Sequence, residues 1–182
     1  VPEPERTAMD RAKPVGEIVE LKGSAHLEVD GAKIPLQKGS PVYQGSTVVT
    51  EEGANVQIRF EDKSFLSQSA NSRMTLDKYV YDPDKAEESG FLANMSKGAF
   101  RFVTGLIAKY HPDGYLLKTP TVTAGIRGTD VFFEIGPSGE VVGVKEIDPT
   151  HVMILRDSLG TIRYLNEGGT LLVVVPGQAL GY

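Results

Sequence analysis

Cysteine is absent from the 182 residues, and its absence removes thiolate catalysis, disulfide staples and Cys-ligated zinc together. Histidine is scarce. His26, His111 and His151 stand far apart, and no two share the i, i+2 or i, i+4 spacing that would bring paired imidazoles to a metal; each reads as a lone surface histidine. Basic charge is not in excess. With 19 Lys and Arg against 24 Asp and Glu the net charge is −5, and the cations are scattered rather than clustered as phosphate-backbone binding requires. No nucleic acid is therefore expected as a partner. Long apolar runs are missing too: the longest, Leu171 to Val175, is strand-sized, well short of the roughly 18 to 20 residues that span a bilayer as a helix. Neither a Gly-x-Ser-x-Gly elbow nor a Gly-rich loop opening a helix is present, which removes the usual frames for serine hydrolysis and nucleotide binding.

What is there suits a folded domain. Apolar residues make up 40% and charged residues 24%, close to the globular average, and the length can bury a continuous core without staples. Residues 1–13 are charged and proline-containing and read as a flexible lead-in. Val1, followed by Pro2-Glu3-Pro4, reads either as a trimmed start or as a mature start after removal of a signal peptide. Residues 14–182 read as a single domain, with about 136–182 as a strand-rich C-terminal extension.

From Pro14 onward one grammar recurs: four to seven residues rich in Val, Ile, Phe and Thr, then a Gly, Asp, Asn or Pro turn. The clearest unit is Ala25 to Leu36, where Asp30-Gly31 predicts a two-residue type I′ turn. That turn sets Val29 against Ala32 and Leu27 against Ile34, with the small and apolar side chains on one face and His26, Glu28 and Lys33 on the other. Ala54 to Phe60 alternates in the same way and leads through Glu61-Asp62-Lys63-Ser64 to Phe65-Leu66. Met74, Leu76 and Lys78 continue the alternation until the charged loop at 81–90. Strands follow at 99–104, 115–118, 122–126, 131–135, 141–145, 152–155, 161–165 and 170–175. Only Ala86 to Met95 could hold a short helix. More than ten short, mostly antiparallel strands, each with an apolar face to cover, predict an all-β sandwich or an irregular roll or barrel.

The run Gly98-Ala99-Phe100-Arg101-Phe102-Val103-Thr104-Gly105, followed by Lys118-Thr119-Pro120-Thr121-Val122-Thr123-Ala124-Gly125-Ile126-Arg127-Gly128-Thr129-Asp130, resembles the signature of FecR-type periplasmic domains. Gly39, Val42, Gly45, Val48, Thr50, Gly53, Ile58, Phe60, Asp62 and Ser64 are similar to that family's first half. The resemblance covers about residues 15–135. It implies a β-domain in the periplasm of a Gram-negative bacterium. Well-known members are membrane-anchored regulators relaying a signal from an outer-membrane siderophore receptor to a cytoplasmic sigma factor; this sequence differs from them in showing no N-terminal helical segment and no membrane span.

No cofactor or metal is expected. Gly125 and Gly128 bracket Ile126-Arg127, so Arg127 and Asp130 are candidate interaction residues, against the plainer reading of a bend in which the two pair with each other or with backbone. Asp82, Asp84, Glu87 and Glu88 lack the Gly and terminal Glu of a calcium loop and read as a solvated acidic stretch. Tyr79, Tyr81, Tyr110 and Tyr115 flank the two longest loops and could form a sugar- or peptide-binding patch, against core or rim packing. The expected activity is non-enzymatic binding of an envelope protein, or of a peptidoglycan or polysaccharide component. The alternatives are a carbohydrate-active enzyme using a carboxylate pair among Asp130, Glu134, Glu146 and Asp148, and a structural envelope scaffold.

Overall fold

The computed structural model describes residues 13–85, 88–126, 129–137, 139–147, 153–157, 160–165, 170–174 and 179–181. The strands are β1 (Gly16–Lys22), β2 (Ala25–Val29), β3 (Ala32–Pro35), β4 (Pro41–Val42), β5 (Thr47–Thr50), β6 (Asn55–Phe60), β7 (Phe65–Gln68), β8 (Arg73–Val80) and β9 (Gly90–Val103). After a short helix α1 (Leu106–Tyr110) and a 3-10 turn at Pro112–Gly114 come β10 (Tyr115–Lys118), β11 (Val122–Gly125), β12 (Thr129–Gly136), β13 (Gly139–Ile147), β14 (Met153–Asp157), β15 (Ile162–Leu165), β16 (Thr170–Val174) and β17 (Ala179–Gly181).

Pairing sorts these strands into two sheets. The first runs β4-β1-β6-β7-β9-β12-β13-β16-β17, and the second β3-β2-β5-β8-β9-β10-β11-β14-β15. The chain alternates between them, laying down single strands or hairpins on each side in turn. β9 belongs to both. Its first half pairs with β8 and β10 in the second sheet, its last half with β7 and β12 in the first, so all the strands form one hydrogen-bonded ladder. Among the described residues every pairing is antiparallel except β9 with β10. The all-β expectation holds, in its sandwich form; the ladder does not close into a barrel.

The switch of sheet occurs at Gly98, where φ is +107° and a Cβ would lie 2.5 Å from the Ser72 Cα. A side chain cannot be placed there, so glycine lets the strand turn over Ser72, whose Oγ accepts a hydrogen bond from the Ala99 N–H at 3.1 Å. The core lies between the sheets, where aromatic rings meet from both sides. Phe60 of the first sheet stacks on Tyr79 of the second at 5.6 Å and meets Phe91 edge-on at 5.3 Å. Phe91 stacks on Tyr115 at 4.4 Å and meets Phe102 edge-on at 6.2 Å.

The Asp30-Gly31 hairpin forms as its sequence predicts, with φ of 49° and 80° at the two turn residues and Val29 and Leu27 opposite Ala32 and Ile34. Of Ala86 to Met95, the stretch with room for a short helix, Ala86 and Glu87 lie outside the described residues and 90–95 is strand. Residues from Gly90 onward open the longest strand, because Phe91, Ala93 and Met95 face the core while Leu92, Asn94 and Ser96 face out. Ala, Leu and Met tolerate a helix, but pairing on both edges outweighs so weak a preference. An α-helix lies at Leu106–Tyr110, burying Ile107 and Ala108.

Candidate interaction surface

The polar turn between β6 and β7 is the anchor of one end of the sandwich. Asp62 is fully buried, and its carboxylate accepts four hydrogen bonds. Oδ1 takes the Ser64 N–H at 3.1 Å and the Tyr79 hydroxyl at 3.0 Å, while Oδ2 takes the Ser64 hydroxyl at 2.7 Å and the Ile107 N–H at 3.1 Å. The Asp62 N–H donates to the Tyr79 oxygen at 2.8 Å, and its carbonyl accepts the Leu106 N–H at 2.8 Å. A buried carboxylate persists only when its lone pairs are satisfied in this way. Gly105 permits the approach: a Cβ there would lie 2.5 Å from the Ser64 nitrogen. Local pattern marks Asp62 as a turn residue and one of those carrying the resemblance, but not as a hub, since Tyr79 and Ile107 stand 17 and 45 positions away.

The four tyrosines share a neighbourhood but not a surface. Tyr79 is 5% exposed and Tyr115 fully buried, so neither can touch a ligand; Tyr81 packs half-buried against the core, and Tyr110 is open to solvent beside Lys109. The patch of four is thus corrected to two core rings and two rim rings. Strict alternation from Met74 and Leu76 would turn Lys78 inward and Tyr79 outward. An irregularity between Leu76 and Lys78 inserts Asp77 as an extra residue and reverses the parity, as a β-bulge does. Burial raises the Tyr79 phenol well above its ordinary range, with the Asp62 charge adding to the effect. Burial does the same to Tyr115, whose hydroxyl is turned toward Ser64 yet completes no hydrogen bond.

Asp130, 8% exposed, is held by Arg101: Nε meets Oδ1 at 2.9 Å and Nη2 meets Oδ2 at 2.6 Å. The two are diagonal neighbours on the outer face of the first sheet, since Asp130 faces Val103 and Arg101 faces Phe132. The pairing of Asp130 is therefore with Arg101, an outward residue between the core rings Phe100 and Phe102, which sequence reading passed over. Arg127, its expected partner, lies outside the described residues. Of the remaining candidate carboxylates, Glu134 is exposed on the same face; the Glu146 side chain and Asp148 also lie outside the described residues.

Around the Arg101–Asp130 pair the outer face of the first sheet carries a shallow cleft of about 360 Å³. Ser67, Phe132, Glu134 and Lys145 border it, and of the described histidines neither His26 nor His111 does. Phe132 lies over Gly143, which faces it across the strand pair. A second cleft of about 410 Å³, beside Arg59 and Phe65, continues the same face over β1 and β6. Mixed charges, hydroxyls and the Phe65 and Phe132 rings thus share this face. The Thr119-Pro120-Thr121 segment is spent locally: the Thr119 hydroxyl oxygen accepts the N–H groups of Thr121 and Val122 at 3.2 and 3.0 Å.

Comparison with known proteins places this geometry among relatives. The family model described as FecR protein matches residues 46–146. Two crystal structures of a "putative anti-sigma factor" from Parabacteroides distasonis superpose with TM-scores of 0.57 and 0.58 at 14% identity. Each alignment covers 75% of this chain and 58% of the other, so this chain spans under two thirds of those proteins. At that identity the likeness is one of fold. No curated protein matches the sequence.

Proposed function

We propose, from the premise that the chain belongs to the FecR protein family, that it is a non-enzymatic interaction domain of envelope signalling, working outside the cytoplasm. One observation carries the reading. Among the described residues that carry the resemblance, several hold the scaffold: Asp62 and Ser64 bind Tyr79 and α1, Gly98 turns the strand, and Arg101 and Asp130 hold each other. Recognition is left to the broad outward faces of the two sheets, which favours a macromolecular partner over a small substrate. The description of the structural neighbours as anti-sigma factors supports signalling as the context.

The test is a strain lacking the gene. Its transcriptome should show a shift confined to one regulon, reversed by the full-length protein directed to the periplasm and not by a copy kept in the cytoplasm. An unchanged transcriptome, or rescue by the cytoplasmic copy, would sink the proposal. Release of soluble sugars from peptidoglycan or envelope polysaccharide by the purified protein would instead favour the enzyme reading.

A further inference from the structure

The outward side of the second sheet differs in character from that of the first. Strand register sets Lys78, Leu92, Leu116, Gly125, Ile154 and Tyr164 in one row across β8, β9, β10, β11, β14 and β15. Leu92 and Leu116 point away from the core that buries their chain neighbours Phe91 and Tyr115. Ile154 and Tyr164 are 44% and 64% exposed. Gly125 interrupts the row with bare backbone, since the atoms nearest to a Cβ placed there, on Leu116 and Ile154, are 3.9 Å away. A notch therefore lies between two apolar side chains.

The adjacent row consists of Asn94, Lys118, Thr123, Arg156 and Ile162. Lys118 and Arg156 sit on either side of Thr123, and Lys78 closes the apolar row. No ion pair among the described residues engages any of these three cations. The nearby carboxylate Asp77 is hydrogen-bonded by the Asn94 amide at 3.2 Å. An exposed apolar row bordered by unpaired cations, on a chain of net charge −5, is complementary to a surface of the opposite sign with its own apolar stripe. Oriented lysine stems and guanidinium groups at the margin would discriminate such a surface from the many neutral apolar ones.

We infer that this face of the second sheet docks an amphipathic segment of a partner protein, apolar along its centre and acidic along one margin. The inference rests on the protein-binding reading above and adds its place and its chemistry. Four strand intervals of about 4.8 Å separate Leu92 from Tyr164, about 19 Å in all, which about 13 helical residues would cover. The apolar stripe lies along the Leu92–Tyr164 row with one side chain over Gly125, and the acidic margin meets Lys118 and Arg156.

The test uses the full chain and a fluorescent helical peptide carrying a leucine stripe flanked by glutamates, with two controls: the same peptide with lysine for glutamate, and one with serine for leucine. Anisotropy should show the acidic peptide binding at least about tenfold more tightly than either control, and more weakly as salt rises. The Lys118→Glu and Arg156→Glu double variant should lower that affinity about tenfold and reverse the preference toward the lysine peptide. Ile154→Ser with Tyr164→Ser should abolish binding of both. All four positions are outward, so circular dichroism should be unchanged. Equal binding of the acidic and basic peptides, or no loss in the charge-reversed variant, would overturn the inference. So would binding to anionic phosphatidylglycerol vesicles in place of the peptide, or self-association in sedimentation that Tyr164→Ser dissolves; these outcomes assign the face to a membrane or to a second copy. Loss of the regulon shift with peptide binding intact would count against signalling alone, whereas an intact shift without peptide binding would count against this face alone.

Discussion

Two buried tyrosines should respond oppositely to loss of their hydroxyls. Tyr79 donates to the Asp62 carboxylate at 3.0 Å and accepts the Asp62 N–H at 2.8 Å; Tyr115, stacked 4.4 Å from Phe91, buries a hydroxyl that completes no hydrogen bond. Tyr79→Phe therefore removes a hydrogen bond to a charged group and leaves a buried N–H unpartnered, which together cost about 2–4 kcal/mol. Tyr115→Phe removes a buried polar atom with no partner, so its effect should fall between about zero and a gain of about 1 kcal/mol. For a chain of this size the first should lower Tm by about 5–12 °C, and the second should leave it level or raise it. Urea titration with unchanged m-values would confirm that stability alone has moved. Burial holds both phenols above their ordinary range, so both stay neutral near neutral pH and the contrast should not vary there. A cycle of Tyr79→Phe with Asp62→Asn should show coupling of about 1–3 kcal/mol. Equal losses for the two tyrosines would refute the reasoning, because ring burial rather than hydroxyl partnering would then set the outcome.

Other outcomes follow from the same geometry. Gly98→Ala, at φ +107° against the Ser72 backbone, should cost about 3 kcal/mol or more in urea denaturation, since neither strain nor overlap can relax cheaply. Arg101→Met should cost about 1–3 kcal/mol by leaving Asp130, with its side chain 11% exposed, short of its guanidinium, and adding Asp130→Asn should recover part of that loss. The hydrogen bonds of Arg73, then of His26, hold the Glu28 carboxyl down at about 2 against an ordinary 4.5. Its contribution to stability is thus complete above about 4.5 and lost as pH falls toward about 2. Carboxyl chemical shifts should show this low titration, and Arg73→Ala should move it back toward the ordinary range.

Local signals in this sequence are short-ranged, and they carried what short-range physics decides. Asp30-Gly31 set a turn whose twist matches its strands, and alternation from Ala54 to Phe60 placed Val56, Ile58 and Phe60 inside. Recurrence of that pattern required two covered faces, hence the all-β class. What depended on distant partners was not legible. The bulge at Asp77 that turns Tyr79 inward is visible only against β9, and the strand character of 90–97 only between β8 and β10. Asp62 became a hub through residues 17 and 45 positions away, and Asp130 found Arg101 across 29 positions. The apolar row with its basic border exists because register aligns five strands laid down over some seventy residues. Side-chain parity is a property of the chain; which outward residues become neighbours is a property of the register, and only the folded sheet sets it.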